Sequence, residues 1–224
     1  MSPRPRALFV GLASLLLFLV LTALVFTDAT QGPDAQLALA INGAYLGPIL
    51  NELMVLSAEF GREYFWVPVV GIMLVAGDRN TKLLAIELAG LFVVGIVAGE
   101  IMKFALYRPR PYETVQGIVA RLAVDMDSSY PSGHALIVSM GAAFSLLRFR
   151  NKIAASLLTL EAFVVCYSRV YVGMHYPLDV LAGVFLALAI VGVGLFLAER
   201  YLIPVLKALE SAATRIFGSG PLRL

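Results

Sequence analysis

Leu83 to Pro111 reads LLAIELAGLFVVGIVAGEIMKFALYRPRP, an apolar run that passes without a turn signal into the cationic cluster Lys103-Phe-Ala-Leu-Tyr-Arg-Pro-Arg110-Pro111. Residues 83–106 are long enough to cross a hydrocarbon core, which takes about 20 helical residues. Basic residues at the end of such a span are commonly snorkelling anchors, so what marks these out is their convergence with other polar clusters. Two more polar clusters interrupt equally apolar sequence further on, Pro131-Ser-Gly-His134 and Ser168-Arg169 followed by His175 and Asp179. Both histidines of the chain fall in these clusters.

The residue types suit one chemistry. Lys103, Arg110 and Arg169 carry permanent positive charge, arginine as a planar fork for phosphate oxygens and lysine as a point charge. Ser132 and Gly133 stand just before an apolar run, so their amides would open a helix toward a bound anion. His175, four residues before Asp179, is a nucleophile or base beside a carboxylate that can fix its tautomer, and His134 is a second proton-transfer group. The bland alternatives are snorkelling cations at helix ends, a Ser132 helix cap and an N-terminal charge at Asp179, and these are compatible with the functional ones. A 2-His-1-carboxylate metal set of His134, His175 and Asp179 is the rival, but three cations are poor neighbours for a divalent ion and natural ones for phosphate.

The joint pattern K-x6-RP, PSGH and SR-x5-H-x3-D resembles the signature of the type 2 phosphatidic acid phosphatase family, in its order and spacing. The resemblance implies a covalent phosphohistidine mechanism without metal or other cofactor. By the same resemblance Lys103, Arg110, Ser132, Gly133 and Arg169 hold the phosphate, His175 attacks, Asp179 orients His175 and His134 protonates the leaving group. A vanadate-dependent haloperoxidase shares these motifs by family analogy, but the apolar spans speak against a soluble enzyme.

Composition agrees with a membrane setting. Of 224 residues 60% are hydrophobic and 14% charged, against about a quarter charged in soluble domains. A net charge of +2 without a basic run argues against a nucleic-acid partner, and no obligate protein partner is indicated. The single cysteine, Cys166, sits in an apolar stretch and reads as a buried thiol.

Hydropathy predicts an all-α polytopic bundle of about six spans in one domain, 1–224, with a core of about 7–200 and a tail over 201–224. The spans run over residues 7–26, 64–76, 83–106, 135–147, 153–167 and 178–197. The first is read as a retained helix, being longer than the apolar region of about 7 to 15 residues in a signal peptide. The second is short and is expected to recruit residues around Leu56. Between the first two lie one or two interfacial helices or an ordered loop, with Asp34 as a candidate helix cap. Residues 107–130, with Pro109, Pro111 and Gly117, belong to water or the membrane surface.

Basic residues divide eleven to six between the two faces. Arg4, Arg6, Arg79, Lys82, Arg148, Arg150, Lys152, Arg200, Lys207, Arg215 and Arg223 lie on one side; Arg62, Lys103, Arg108, Arg110, Arg121 and Arg169 lie on the other. The richer side is expected to be cytoplasmic, which puts both termini and the tail inside and all three clusters at the extracytoplasmic face of the cell membrane. Inside the apparent spans Glu100, one turn before Lys103, is a candidate to position that lysine. Glu87 and Glu161 have no partner legible in sequence. The expected activity is removal of a terminal phosphate from a membrane lipid phosphate or diphosphate: phosphatidate, phosphatidylglycerol phosphate or a polyprenyl diphosphate. The alternatives are a non-enzymatic lipid-phosphate transporter and a metal-dependent membrane hydrolase.

Overall fold

The structure, a computed structural model, describes residues 5–202. Among these the fold is all-α and without strands: α1 (Pro5–Val25), α2 (Asp28–Asn42), α3 (Pro48–Phe60), α4 (Glu63–Ala76), α5 (Arg79–Ala105), α6 (Pro111–Thr114), α7 (Gly133–Arg148), α8 (Lys152–Tyr171) and α9 (Pro177–Leu197), the last continued by a π-helical turn, Ala198–Leu202. The tail from residue 203 lies outside the described residues.

Four helices are long and apolar enough to cross a membrane: α1, α5, α8 and α9 with its extension. Their outer faces show why the chain needs lipid. On α1 the buried positions form a narrow stripe, Ala7, Gly11, Ser14, Phe18 and Val25, while Phe9, Leu16 and Leu19 are more than half exposed. On α5 the exposed side carries Ile86, Val93, Val94 and Ile101. A helix that is apolar on all sides yet buries one stripe has hydrocarbon as its other solvent.

Two further apolar helices, α4 and α7, have 14 and 16 residues and fall short of a full span. The expected recruitment of residues near Leu56 into α4 does not occur. Gly61 and Arg62 separate α3 from α4, and the backbone of Arg62, at φ −96° and ψ −91°, is not helical. Helix α7 is surrounded by protein. Every residue from Ala135 to Ser145 is buried, between α8, α9 and α5. In lipid this packing is driven by close van der Waals fit rather than by water exclusion. Around α7 the core is built from Trp66, Leu88, Met140, Phe144 and Leu195.

Helix α1 packs along α9, and α3 packs on α8. Residues 27–62 form two helices, α2 and α3. Asp34 does not cap either of them: Thr27 holds the N-cap of α2, and Asp34 follows Pro33 inside that helix, 3% exposed. At the end of the bundle away from the three clusters, Arg148 of α7 pairs with Glu87 of α5 at 2.8 Å and with Glu199 at 3.0 Å. That gives the intramembrane Glu87 the partner sequence could not name.

Candidate active site

Helices α5 and α8 end, and α7 and α9 begin, at the same end of the bundle. Lys103 therefore comes from the last turn of α5, Arg169 from the last turn of α8, and Gly133 and His134 from the first turn of α7. Together with Arg110 and His175 they line a cavity of about 620 Å³, whose wall also includes Arg62, Glu100, Asp125, Met126 and Asp127. Six of the eight core positions predicted from sequence thus line this cavity, and Ser132 is buried at the N-cap of α7, one residue before Gly133. Asp179, fully buried, is not part of the wall.

Each motif folds for a local reason. Ser132 is the N-cap of α7, its hydroxyl accepting from the Ala135 amide at 3.4 Å, and its own amide donates to the Asp179 carbonyl at 3.0 Å. That contact requires α9 to come close: a Cβ on Gly183 would stand 2.7 Å from the Ser132 carbonyl oxygen. In the third motif Gly173 takes φ +81°, a conformation that favours glycine and that turns the chain at the end of α8. The amides of Met174 and His175 then donate back to the Arg169 carbonyl at 3.2 and 3.3 Å. Pro177 opens α9, and Asp179 accepts from the Tyr176 amide at 2.9 Å, closing the helix start.

His175 is held in one orientation. Its Nδ1 is 2.8 Å from the Ser129 carbonyl oxygen, which can only accept, so Nδ1 carries the proton and Nε2 keeps its lone pair. Nε2 lies 3.5 Å from Nη1 of Arg110. Burial, and then the positive charges of Arg169, Arg110 and Lys103, push this imidazole well below the ordinary histidine value, so it is neutral at physiological pH. Asp179, expected to orient it, stands 3.8 Å from Nδ1, while Ser129 occupies hydrogen-bonding distance. The Asp179 carboxylate is engaged by Arg108 and by the Tyr176 amide.

The cations are held by the loop between α6 and α7. Asp127 pairs with both Lys103 and Arg110, and Asp125 reaches Arg110 at 3.2 Å. Burial would raise the Asp127 carboxyl, but Lys103 and Arg110 hold it down, to about 2. Asp127, not Glu100, is therefore the acidic partner of Lys103; Glu100 lines the cavity from an exposed position. Arg110 also donates to the Met174 carbonyl at 3.0 Å, and Arg169 to the Ala58 carbonyl at 2.8 Å. Nε of Arg169 and Nε of Arg62 are buried without a hydrogen-bond partner among the described residues. Both arginines line the cavity, and guanidinium groups there suit an anion.

Six participants were missed by sequence reasoning, among them Asp125 and Asp127, which pair with the cations from the loop before α7. Ser129 acts through its backbone, which no side-chain pattern reveals. Arg108 is buried, joins Asp34 at 2.7 Å to Asp179, and lies 3.9 Å over the ring of Tyr176. Its signal was its place in Arg108-Pro-Arg110-Pro, two cations in one turn-forming repeat, although it was counted only as a loop charge. Asp34 also accepts from the Leu178 amide at 3.0 Å, so α2 braces the start of α9. Arg62 had been read only for its side of the membrane. The 2-His-1-carboxylate alternative finds no support in the geometry, since among the described residues no three His, Cys, Asp or Glu side chains converge as metal ligands would. Glu161 faces an apolar groove, both its carboxyl oxygens without a hydrogen-bond partner among the described residues.

Comparison with known proteins identifies the family. The chain is 42% identical over 172 residues to an undecaprenyl-diphosphatase of Sulfolobus acidocaldarius, covering 75% of this chain and 82% of that one. It is 30% identical over 186 residues to phosphatidylglycerophosphatase B of Bacillus subtilis, covering 77% and 87%. Among solved structures, a transmembrane PAP2-type phosphatidylglycerolphosphate phosphatase from Bacillus subtilis shares the fold with a TM-score of 0.66 at 24% identity, over 85% of this chain and 96% of that one. The family model described as the PAP2 superfamily matches residues 83–201, which hold all three polar clusters, and the chain belongs to that superfamily, the type 2 phosphatidic acid phosphatases.

Proposed function

We propose that this membrane phosphatase removes the terminal phosphate of a lipid diphosphate at the extracytoplasmic face, through a phosphohistidine on His175. The observation that carries the reading is the neutral imidazole itself: Nδ1 is tied to the Ser129 carbonyl and Nε2 faces a cavity walled by Lys103, Arg110 and Arg169. In the first step Nε2 attacks the terminal phosphorus while the three cations neutralise the phosphoryl oxygens. Burial and then the charges of Arg169 and Arg62 hold His134 well below the ordinary histidine value. The negative charge of a bound phosphate offsets those cations, so His134 takes up a proton with the substrate and gives it to the departing oxygen. In the second step it takes a proton from the water that cleaves the phosphorus–nitrogen bond. Gly133 faces the phosphoryl oxygens at the start of α7, where backbone amides favour an anion, and Ser132, whose amide is taken by the Asp179 carbonyl, positions that turn.

Asp179 supports His175 from behind by fixing the first turn of α9 and by keeping a negative charge near Nδ1, with Arg108 locking its rotamer. The cluster of fixed cations supplies the charge that a metal ion would otherwise contribute, so the reaction runs without one. Among substrates a polyprenyl diphosphate comes first, because of the similarity to the Sulfolobus undecaprenyl-diphosphatase, and phosphatidylglycerol phosphate second. A binding-only transporter would have no use for an imidazole held in one tautomer with its free nitrogen among cations.

The test is phosphate release by the purified protein from a panel of lipid phosphates and diphosphates. Release that survives exhaustive chelation, and that vanadate inhibits, is the expected result. Loss of activity on chelation, restored by one divalent ion, would contradict it.

A further inference from the structure

Lys103, Arg110 and Arg169 are enough cations for one phosphoryl group, yet the cavity wall contains a fourth, Arg62. It comes from the joint between α3 and α4, outside all three sequence motifs and outside the matched residues 83–201. Its Nη1 lies 3.2 Å from where a Cβ on Gly133 would stand, which places the guanidinium against the first turn of α7, next to His134. Its Nε is buried with no partner among the described residues. Its ion pair is with Glu63, which is 54% exposed, so the pair is screened by water and holds the arginine weakly. The other acids of the wall are placed elsewhere: Asp125 and Asp127 pair with Arg110 and Lys103, and Glu100 is exposed.

The order of groups in the cavity gives this fourth cation a meaning. Arg110 adjoins Nε2 of His175, where the transferred phosphorus must sit. The oxygen that departs belongs beside His134, and Arg62 stands against the same turn, at Gly133, within reach of whatever that oxygen remains attached to. Immediately before Arg62 in the chain, Phe60 and Gly61 line an apolar groove with Leu56, Leu160 and Val164. Arg62 thus lines the cavity while the two residues before it line an apolar groove.

We propose that Arg62 binds the lipid-proximal phosphate of a diphosphate substrate and so makes the enzyme prefer diphosphates to monophosphates. The proposal rests on the reading of His175 as the nucleophile of a lipid phosphatase. In the reaction Nε2 forms a bond to the terminal phosphorus and the bond from that phosphorus to the bridging oxygen breaks. The bridging oxygen leaves on the lipid monophosphate with its electron pair, accepts the proton of His134, and Arg62 neutralises the negative charge that remains. Water then releases orthophosphate from His175. With a monophosphate substrate the departing group is an alcohol, and Arg62 has nothing to bind.

The experiment compares farnesyl diphosphate with farnesyl monophosphate as substrates of the purified full chain. Arg62→Gln is expected to lower kcat/KM for the diphosphate by roughly 10- to 100-fold, the size of a lost hydrogen bond to a charged group. Turnover of the monophosphate, which also reports that the variant is folded, is expected to change by a few fold at most. Arg62→Lys, which keeps the charge, should retain most of the preference. Calorimetric titration with methylene diphosphonate and with orthophosphate adds a readout that needs no turnover: the wild type should bind the diphosphonate more tightly, and Arg62→Gln should lose that difference. Equal losses on both substrates, or an unchanged diphosphonate preference, would overturn the assignment. A wild type that hydrolyses neither substrate would overturn the phosphatase reading instead, and the titration would still decide the role of Arg62.

Discussion

At the scale of single residues the site depends on how buried charges are compensated. Arg108 bridges Asp34 and Asp179, both almost fully buried, so its removal strands two carboxylates away from water. Breaking a buried pair by deleting one partner costs about 3–5 kcal/mol. Arg108→Met should therefore lower the thermal unfolding midpoint in detergent far more than Arg121→Met, whose guanidinium bonds to backbone carbonyls and lies over the Tyr171 ring but pairs with no buried carboxylate. Equal midpoints would show that the bridge carries no stability. His175 makes a prediction about pH. Its folded value is depressed below that of an exposed histidine, so the folded protein binds fewer protons than the unfolded chain once the pH falls below about 6.5. Its contribution to stability is complete above that value and is lost progressively as the pH falls toward the folded value. For activity, the nucleophile stays unprotonated through mildly acidic conditions. The acid limb of kcat/KM, corrected for ionisation of the substrate, should lie clearly below pH 6.5, and a limb at 6.5 that His175 itself imposes would contradict the burial argument.

At the scale of elements, the approach of α9 to the start of α7 sets the position of Ser132. Valine at Gly183 would meet the Ser132 carbonyl and push the PSGH turn away from the cations. Misplacement by about 1 Å can cost on the order of 100-fold in rate, so Gly183→Val should lose activity on that scale. Gly90→Val, on a face of α5 with no atom within 4 Å of the added Cβ, should keep it. Equal activities in the two variants would mean that this contact does not position the turn. What could be read from sequence follows from the same distinction between local and distant relations. Lys103, Arg110, the PSGH turn and the His175 segment were legible because each is a short motif at a helix end, and long apolar runs announced α1, α5 and α9. Asp34 looked like a cap because only its neighbours Gly32 and Pro33 are visible in sequence, whereas its partners Arg108 and Leu178 lie 74 and 144 residues away. The break between α3 and α4 was hidden for another reason. Hydropathy averages over Gly61 and Arg62, and only the backbone shows that the helix stops there.

At the scale of the whole molecule, the three motifs and the cavity share one end of the bundle, while Arg148 with Glu87 and Glu199 ties the other. The orientation proposed from the distribution of basic residues puts the cavity end on the extracytoplasmic side. With Cys166 replaced, a membrane-impermeant thiol reagent should label a cysteine at Glu113 in intact cells and spare one at Asn151, both exposed positions; the reverse labelling would invert the molecule. The central claim is that His175 becomes covalently phosphorylated while His134 only moves protons. Loss of general acid help costs typically 10²–10⁴-fold with a poor leaving group, but an activated aryl phosphate departs without a proton. Rapid quench of the purified protein with a radiolabelled aryl phosphate tests this most directly. Acid-labile phosphoenzyme should accumulate in His134→Ala, which forms the intermediate and cannot readily hydrolyse it, and should be absent in His175→Ala; phosphoenzyme on the His175→Ala chain would contradict the account.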